Sequence, residues 1–418
     1  MAYQFRYITF VLAVLLLAGF AHAIADPSML YCQKLGYTTS VATTSAGDVG
    51  YCIVNGNKYD SWAFFNGLVG QKYSYCAKKG YDTQNGPVPG NAFGMTEAFC
   101  VPKSLSIKSS MTVSSLFAGS APKKIAMVDL MASNGDSFIG TGISAMGAGR
   151  PSPRATAASV QSSGATIPSS FDWRNYNGKN WMTSVKDQAG CGSCWDFSAV
   201  GTVEAKFNID NNNPDLNYDL SEQDMLTCSH AGSCGGGWPS DTLNYIKTTG
   251  VVDEKCDPYL ARDTACSLCS DWQNRTFKIQ NYYYVPGGAD DYKRALMMYG
   301  PLSIGIDYRE MFGPGAYLNL NHAVVLVGWN DAGRYWIIKN SWGTSFGDKG
   351  YAKIPYGGSL EANKYVYAVG QTVKPVIPPA PDPKPNPKPD PHDVPEYNLA
   401  GLALVLAAGI VMVAWRRR

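Results

Sequence analysis

The sequence has 418 residues, a formal net charge of +2 and no long block of basic side chains. This length allows two or three domains, and the near-neutral charge disfavours nucleic acid as a partner. The chain has 11 cysteines, and a leader for export would place them in an oxidising compartment where cysteines pair.

Residues 1–25 predict a signal peptide. Arg6 supplies the positive start, residues 8–20 form the apolar core, and Ala21, His22 and Ala23 make a small-residue cleavage site. We therefore expect the mature protein to begin outside the cell membrane.

Residues 26–102, the N-terminal module, carry four cysteines and a weak internal repeat: YCQKLGY at Tyr31 recurs as YCAKKGY at Tyr75. Each copy is followed by a further cysteine. Of the three possible connectivities, the repeat favours Cys32–Cys52 and Cys76–Cys100. The first copy resembles a short cysteine-bearing module of unassigned function on exported prokaryotic proteins. Two roles stay open for the N-terminal module: it recognises a binding partner, or it is a spacer held together by its disulfides.

Residues 103–166 are rich in serine, alanine and glycine, which predicts a flexible linker. A more apolar stretch, residues 109–130, has a second interpretation as a vestigial propeptide. The route of activation stays open, although an exposed linker suits proteolytic cleavage.

The stretch QAGCGSCWDFS, residues 188–198, combines two cysteines with an apolar run of helical character. Cys194 is predicted to lie near a helix N-terminus, where the helix dipole and free backbone N–H groups stabilise a thiolate. The side-chain amide of Gln188 is expected beside the Cys194 backbone N–H, so that two donors face a developing oxyanion.

A thiolate needs a base, and the chain has only four histidines. Three lie in the leader, in a glycine-rich loop and in a proline-rich tail: His22, His230 and His392. His322, directly before an apolar strand-like run, is the remaining candidate. Asn340 ends the next apolar run and can orient His322, while Trp342 can shield that hydrogen bond from water.

Residues 167–372, the main domain, resemble the papain/cathepsin cysteine peptidases. The resemblance rests on IPSSFDWRN, VKDQAGCGSCWDFSAV, SCGGGW, LNHAVVLVGW and YWIIKNSWGTSFGDKGY, in this order. It implies Cys194 as nucleophile, His322 as general base and then acid, Asn340 as orienting group and Gln188 as oxyanion donor. It also implies a substrate-binding set: Gly236, Gly237, Trp238 and Trp342.

The six other cysteines of the main domain allow fifteen pairings. The resemblance implies Cys191–Cys234 and Cys228–Cys266, which leaves Cys256–Cys269. Asn274 begins an Asn-Arg-Thr sequon and is a candidate glycosylation site.

The main domain predicts an α+β, papain-like fold of two lobes with a cleft between them. A central helix from Cys194 should continue through Val200 to Ile209 with Glu204 facing solvent, and a second helix should start at Ser221. The second half alternates apolar runs with turns and predicts a β-barrel-like lobe: residues 278–285, 301–307, 323–329, 335–339 and 351–354.

Asp196 departs from the family pattern, which usually has a small residue two positions after the nucleophile. A carboxylate there would raise the pKa of Cys194, although an acid also suits the first turn of a helix. We expect Asp196 to be hydrogen-bonded or to point away from the sulfur.

Residues 373–397 form a proline-rich stalk, and residues 398–418 predict a membrane-spanning helix with a cytoplasmic arginine tail. The tail also resembles a prokaryotic sorting signal, with Pro395, Glu396 and Tyr397 before the apolar run. In that case a sorting enzyme would remove the helix and attach a lipid anchor.

Together these features predict a cysteine endopeptidase on the extracellular face of the membrane, acting on proteins or peptides through a thioester intermediate. No cofactor and no metal are required, because the cysteines lack histidine partners for a zinc site. Two alternatives are a transpeptidase, in which an amine intercepts the thioester, and a non-catalytic adhesion protein whose thiol is silenced by Asp196.

Overall fold

The computed structural model describes residues 24–87, 95–103, 125–127, 156–157, 166–313, 320–363 and 365–375. Most of the expected signal peptide, linker and stalk, and all of the expected terminal helix, lie outside these residues. Within the described ranges, no helix is long and apolar enough to cross a membrane.

The N-terminal module consists of two similar halves, each built from short helices and antiparallel strands. Its helices are α1 (Pro27–Lys34), α2 (Ser61–Phe65) and α3 (Tyr75–Lys78). Its strands are β1 (Thr38–Thr44), β2 (Gly47–Val54), β3 (Asn57–Asp60), β4 (Tyr81–Pro87) and β5 (Thr96–Pro102), and β6 (Ile125–Ala126) adds to the edge of β5. The disulfides Cys32–Cys52 and Cys76–Cys100 close one half each, as the repeat suggests.

Helix α4 (Cys194–Asp210) is the central helix of the main domain and begins at the predicted nucleophile. It is followed by α5 (Glu222–Thr227), which starts after the Ser221 cap, and by α6 (Pro239–Thr248). Because α4 packs against α6 and against the main sheet, its residues from Cys194 to Asn208 are buried.

The prediction that Glu204 faces solvent is wrong. Glu204 is 1% exposed. It accepts hydrogen bonds from Thr183 Oγ1 at 2.6 Å and from Leu220 N at 2.9 Å, and it pairs with Lys186. The three partners stabilise this buried carboxylate. The prediction assumed an amphipathic helix with one face exposed to solvent, whereas α4 is buried from Cys194 to Asn208.

An eight-stranded sheet forms the second half of the main domain. Its members are β7 (Thr156–Ala157), β8 (Ser170–Asp172), β12 (Tyr282–Tyr284), β13 (Leu302–Ile306), β14 (His322–Asn330), β15 (Tyr335–Lys339), β16 (Tyr351–Pro355) and β17 (Val366–Val369). They are hydrogen-bonded in the order β16-β15-β14-β13-β17-β12-β7, and β8 pairs with β14. The predicted apolar runs therefore lie on strands of this sheet or beside it. In β13 and β14 these runs are buried, which explains why they lack polar alternation.

Smaller elements complete the main domain. They are β9 (Gly232–Ser233), β10 (Gly236–Gly237), β11 (Lys278–Ile279), α7 (Ala289–Tyr299), α8 (Ser359–Asn363) and β18 (Thr372–Val373). Short 3-10 turns occur at Gln71–Tyr73, Trp173–Asn175, Trp272–Arg275 and Tyr308–Met311.

The N-terminal module and the main domain share one hydrophobic core. Trp62 of the module is 2% exposed and packs against Trp342 and Phe346, with ring centroids 5.8 Å and 5.0 Å apart. Burial of these rings stabilises the contact by about 2 kcal/mol per large side chain. The module is therefore fixed directly beside the predicted catalytic residues.

Candidate active site

Cys194 is the first residue of α4 and is fully buried. It is the free cysteine among the described ones, since the other ten form five disulfides. Cys191, three residues before it, forms a disulfide with Cys234 and so fixes the glycine-rich loop. The Cys234 carbonyl accepts a hydrogen bond from Gly192 N at 2.9 Å. The thiol is thereby set at a helix N-terminus beside the loop.

His322 starts β14, and Asn340 directly follows β15, the neighbouring strand. His322 Nε2 lies 2.8 Å from Asn340 Oδ1, which also accepts a hydrogen bond from Ser341 N at 2.9 Å. Because Oδ1 can only accept, Nε2 is the protonated nitrogen of a neutral imidazole. Nδ1 has no hydrogen-bond partner among the described residues and is left as the basic nitrogen.

Trp342 lies flat against His322, with ring centroids 4.7 Å apart and an interplanar angle of 26°. Both residues are fully buried, so the indole excludes water from the His322–Asn340 hydrogen bond. This is the shielding role expected for Trp342.

Burial sets the ionisation of the two reactive groups. It raises the pKa of the Cys194 thiol to about 12, and the nearby Asp196 carboxyl adds to the rise while Ala323 N–H opposes it. Burial lowers the pKa of His322 to about 4, although the hydrogen bond that His322 donates to Asn340 opposes this shift. In this conformation, thiol and imidazole are both neutral at physiological pH.

Gln188 is fully buried and already engaged. Its Oε1 accepts a hydrogen bond from Ser341 Oγ at 2.7 Å, which fixes the orientation of the amide. Its Nε2 donates to Cys191 O at 2.8 Å and to Ile24 O at 2.9 Å. The amide nitrogen is therefore occupied by two backbone carbonyl groups, those of Cys191 and Ile24.

Asp196 has both carboxyl oxygens buried, and among the described residues neither has a hydrogen-bond partner of standard geometry. Of the two expected arrangements, a hydrogen bond or a carboxyl group that points away from the sulfur, the first is therefore absent among these residues. Burial, and secondarily the charge of Glu222, raises the pKa of Asp196 well above its ordinary value. A neutral carboxyl group in this place opposes the thiolate less than an ionised one would.

The glycine loop lies against the ring of Trp195, next to the nucleophile. Strands β9 and β10 form a two-stranded hairpin, and a methyl group added at Gly237 would lie 2.6 Å from the Trp195 ring. Gly236 has a φ of 128°, which favours glycine. Trp238 follows the hairpin and stacks on Tyr365 at 5.4 Å, and both rings pack beside Cys194.

The remaining sequence candidates lie away from this cluster. Asn274 is exposed in a 3-10 turn, as a sequon must be, and His230 is exposed in a loop. The disulfides of the main domain are Cys191–Cys234, Cys228–Cys266 and Cys256–Cys269, the pairs that the resemblance implies. In the part of the chain that the structure describes, no group of three or more acidic, histidine or cysteine side chains is arranged to hold a metal.

Sequence reasoning missed Ile24, Ser341 and Asn321. Ile24 N donates to Asn321 O at 3.2 Å, so both polar groups of this residue are bound beside the catalytic residues. Ser341 lies in the NSWG motif directly after Asn340, so its position beside a candidate site residue could have identified it. Ile24 carried no such signal, because a contact over more than 160 residues is invisible in a linear pattern.

Residues 167–369 match the family model described as papain family cysteine protease, and residues 23–68 match a domain of unknown function, DUF333. The chain is 36% identical to cathepsin S of Rattus norvegicus over 46% of this chain and 62% of that protein. It is 36% identical to the thiol protease aleurain of Arabidopsis thaliana over 47% of this chain and 58% of that protein.

Among solved structures, digestive procathepsin L 3 of Tenebrio molitor larval midgut is 30% identical, with a TM-score of 0.44, over 52% of this chain and 74% of that one. The chain spans about 60% of the length of the two curated relatives.

Proposed function

We propose that the papain-family cysteine protease domain at residues 167–369 is a cysteine endopeptidase that hydrolyses peptide bonds through Cys194, His322 and Asn340. The observation that carries this is the 2.8 Å contact between His322 Nε2 and Asn340 Oδ1, which leaves Nδ1 as the basic nitrogen. Cys194 supplies the thiol at the start of α4.

In the first half of the reaction, His322 Nδ1 takes the thiol proton and the sulfur of Cys194 attacks the peptide carbonyl. A carbon–sulfur bond forms, and the oxyanion accepts hydrogen bonds from Gln188 Nε2 and Cys194 N. The carbon–nitrogen bond then breaks as His322 donates its proton to the leaving amine, which departs with a new N-terminus.

In the second half, a water molecule attacks the thioester while His322 again accepts a proton. The carbon–sulfur bond breaks, the acid product leaves, and the thiol regains its proton. Asn340 keeps the imidazole oriented throughout, as the third member of such sites does. The substrate backbone lies along Gly236 and Gly237, and an apolar side chain faces Trp238 and Tyr365.

This activity belongs outside the cell. Five disulfides support an oxidising compartment, because cytosolic proteins rarely keep them. Tethering to the membrane surface rests on residues 398–418, which lie outside the described part of the chain.

The proposal is tested by hydrolysis of a quenched fluorescent peptide library by the full chain, from about pH 5 to about pH 8.5, with alkylation of Cys194 followed in parallel. We expect Cys194→Ala and His322→Ala to lower kcat by about a thousandfold or more. Gln188→Ala should lower it by about 10²–10³, the usual effect of losing one oxyanion donor.

His230→Asn is the matched control, because it replaces an exposed histidine at a left-handed backbone position that asparagine tolerates. It should keep the parent rate. Full alkylation of Cys194 without Cys194-dependent hydrolysis at any pH would contradict the peptidase proposal.

A further inference from the structure

The charged residues of the N-terminal module differ in exposure according to their sign. The module has five lysines, no arginine and five acidic residues, so its charges cancel. The lysines are Lys34, Lys58, Lys72, Lys78 and Lys79, and the acidic residues are Asp26, Asp48, Asp60, Asp82 and Glu97. All five lysines are exposed, whereas each acidic residue is partly or fully buried. A module without net charge therefore presents positive charge to its surroundings.

Three of the five acidic residues lie where the module meets the main domain. Asp48 Oδ2 accepts a hydrogen bond from Asp187 N at 3.1 Å, and an oxygen of Asp60 accepts one from Ser345 Oγ. Asp26 is 0% exposed and lies close enough to Asp187 to interact with it electrostatically. The main domain therefore covers negative charge of the module and leaves the lysines outside.

Helix α2 separates this contact from the opposite side of the module. Trp62 and Phe64 are two residues apart in α2, so their side chains point in nearly opposite directions. Trp62 Nε1 donates to Trp342 O of the main domain at 3.0 Å. Phe64 instead packs against Tyr37 and Tyr59, with ring centroids 6.1 Å and 6.0 Å apart. Both tyrosines therefore lie on the side of the module that faces away from the main domain.

A third tyrosine is continuous with these two. Tyr73 lies in a 3-10 turn, and its ring centroid is 6.3 Å from that of Tyr59. The hydroxyl group of Tyr37 donates to Tyr73 O at 3.1 Å. All three tyrosines are partly exposed, so they form one aromatic surface.

Two lysines lie over these rings. Lys72 Nζ is 4.8 Å from the ring centroid of Tyr73, and Lys78 Nζ is 4.7 Å from that of Tyr37. Lys78 also donates to Leu35 O at 2.6 Å, which holds its ammonium group in place. Tyr37, Tyr59, Tyr73, Lys72 and Lys78 together form what we call the tyrosine–lysine face.

The positive charge of this face is not neutralised by a carboxylate. Among the described residues, neither Lys72 nor Lys78 forms an ion pair, and their contacts are with aromatic rings and a carbonyl group. Lys186, Lys206 and Lys293 of the main domain are each paired with an acidic side chain. The tyrosine–lysine face is therefore suited to an anion from outside the chain.

An exposed apolar side chain lies in the loop that leads to this face. Leu68 is 55% exposed, the highest value among the large hydrophobic residues that the structure describes. Gln71 Nε2 donates to Leu68 O at 3.1 Å, and Gln71 starts the turn that carries Lys72 and Tyr73. This hydrogen bond keeps Leu68 close to the tyrosine–lysine face.

Lysine, tyrosine and leucine in this arrangement match the surface of an anionic lipid bilayer. Lysine is attracted to anionic headgroups as a flexible point charge, and tyrosine is enriched where membrane meets water. A protruding leucine can enter the apolar layer beneath the headgroups. An acidic polypeptide would also attract the lysines, but it would leave Leu68 exposed.

We propose that the tyrosine–lysine face and Leu68 form a membrane-docking surface, which binds the headgroups of anionic lipids and inserts Leu68 beneath them. This surface is separate from the expected terminal helix, and it does not depend on the proposed peptidase activity. Because Trp62 lies on the other side of α2, docking holds the main domain on the side of the module away from the bilayer.

The experiment measures, by peptide mass spectrometry, how fast each lysine of the full chain is acetylated in the presence of vesicles. One set of vesicles is phosphatidylcholine alone, and the other is phosphatidylcholine mixed with phosphatidylglycerol. We expect the anionic vesicles to slow acetylation of Lys72 and Lys78 by at least about fivefold, the factor that corresponds to one lysine near an anionic surface. Salt at about 1 M should remove this protection, because it shortens the Debye length to about 3 Å.

Lys353 is the internal control in every sample. It is exposed on β16 of the main domain, and its Nζ lies 4.6 Å from the ring centroid of Tyr335, so it shares the chemistry of Lys72. Its acetylation rate should be the same with both kinds of vesicle. The control holds even where the terminal residues bind the chain to both.

Leu68→Ser tests insertion without a change of charge. The concentration of anionic vesicles that gives half-maximal protection of Lys72 should rise by about tenfold, because a buried leucine side chain is lost. Leu260→Ser is the matched control, since Leu260 is 49% exposed in the main domain. It should follow the parent.

Equal acetylation of Lys72 with the two kinds of vesicle would overturn the proposal. Equal slowing of Lys353 would overturn it as well, because the chain would then lie on the bilayer without a preferred face. Soluble polyglutamate and inorganic phosphate are the competing anions. If either protected Lys72 and Lys78 as well as anionic vesicles do, the face would bind an acidic polypeptide or a free anion instead of a membrane.

Discussion

Asp196 lies two residues after the candidate nucleophile, Cys194, and a charge on it disfavours the thiolate. Its carboxyl group is buried in the first turn of α4, and where that group is ionised its charge adds to the rise that burial causes in the pKa of the Cys194 thiol. The helix N-terminus favours negative charge at the same place, so two anions would compete for one dipole.

We predict that Asp196→Asn lowers the pKa of Cys194, because the amide cannot ionise. The pH midpoint of Cys194 alkylation should fall by about one unit relative to the parent. Parent and variant carry the same N-terminal module, so comparing their midpoints reports on the thiol itself.

Asp210→Asn is the control for this shift, because Asp210 ends the same helix and pairs with Lys206 far from the sulfur. Its midpoint should match the parent. An unchanged midpoint in Asp196→Asn would mean that the carboxyl group is already neutral wherever the thiol titrates.

The hairpin of β9 and β10 brings two glycine-rich strands against the indole of Trp195. Its register pairs Gly236 with Ser233 and Gly237 with Gly232. A side chain on the inner face of this hairpin would have to displace the indole. The hairpin can therefore present its backbone beside Cys194 only while these positions stay small.

We predict that Gly237→Ala destabilises the main domain by about 1–3 kcal/mol through overpacking. It should also raise KM for peptides, since the strand that is proposed to bind the substrate backbone must move. Thermal unfolding and steady-state kinetics measure the two effects.

Gly235→Ala is the matched control in the same loop. A methyl group there would meet only Ser233 Oγ, at 3.3 Å, a contact that a shift of a few tenths of an ångström relieves. We expect near-parent stability and KM. If both alanine variants behaved alike, the contact of Gly237 with Trp195 would have no part in shaping the loop.

Among the residues that the structure describes, buried carboxyl groups with raised pKa values outnumber those with lowered pKa values. Burial raises the pKa of Asp224 to about 7, of Glu254 to about 8 and of Glu310 to about 7. The native state therefore holds protons that the unfolded chain releases. These groups contribute stability that is fully present below about pH 4 and is lost as the pH rises through their native pKa values.

We predict that the Tm of the full chain is highest near pH 4 to 5 and falls toward about pH 8, the reverse of a protein held together by ionised carboxylates. His322 acts in the opposite sense, because its pKa is lowered to about 4 and it must be charged on unfolding below about pH 6.5. It therefore limits the rise at acidic pH.

Differential scanning calorimetry across this range tests the prediction. Asp224→Asn should flatten part of the decline, while Asp215→Asn, at an exposed position, should not. A Tm that rises steadily from pH 5 to pH 8 would contradict it.

The local chemistry of the site could be read from the residues themselves. The start of α4 at Cys194, the strands that bear His322 and Asn340, and the second helix after Ser221 follow from patterns within a few residues of each position. Glu204 was misjudged for the opposite reason. Its burial depends on Lys186, Thr183 and Leu220, which come from other parts of the chain.

The sequence by itself determined the candidate nucleophile, its candidate base and the candidate orienting residue, because each needs a particular side chain at a recognisable place in a local motif. Only the tertiary structure decided which residues from distant parts of the chain contact the side chains around them. The contact of Ile24 with Gln188 and that of Trp62 with Trp342 join residues 164 and 280 positions apart. Such contacts arise from how folded surfaces fit, and no periodicity or motif records that fit in advance.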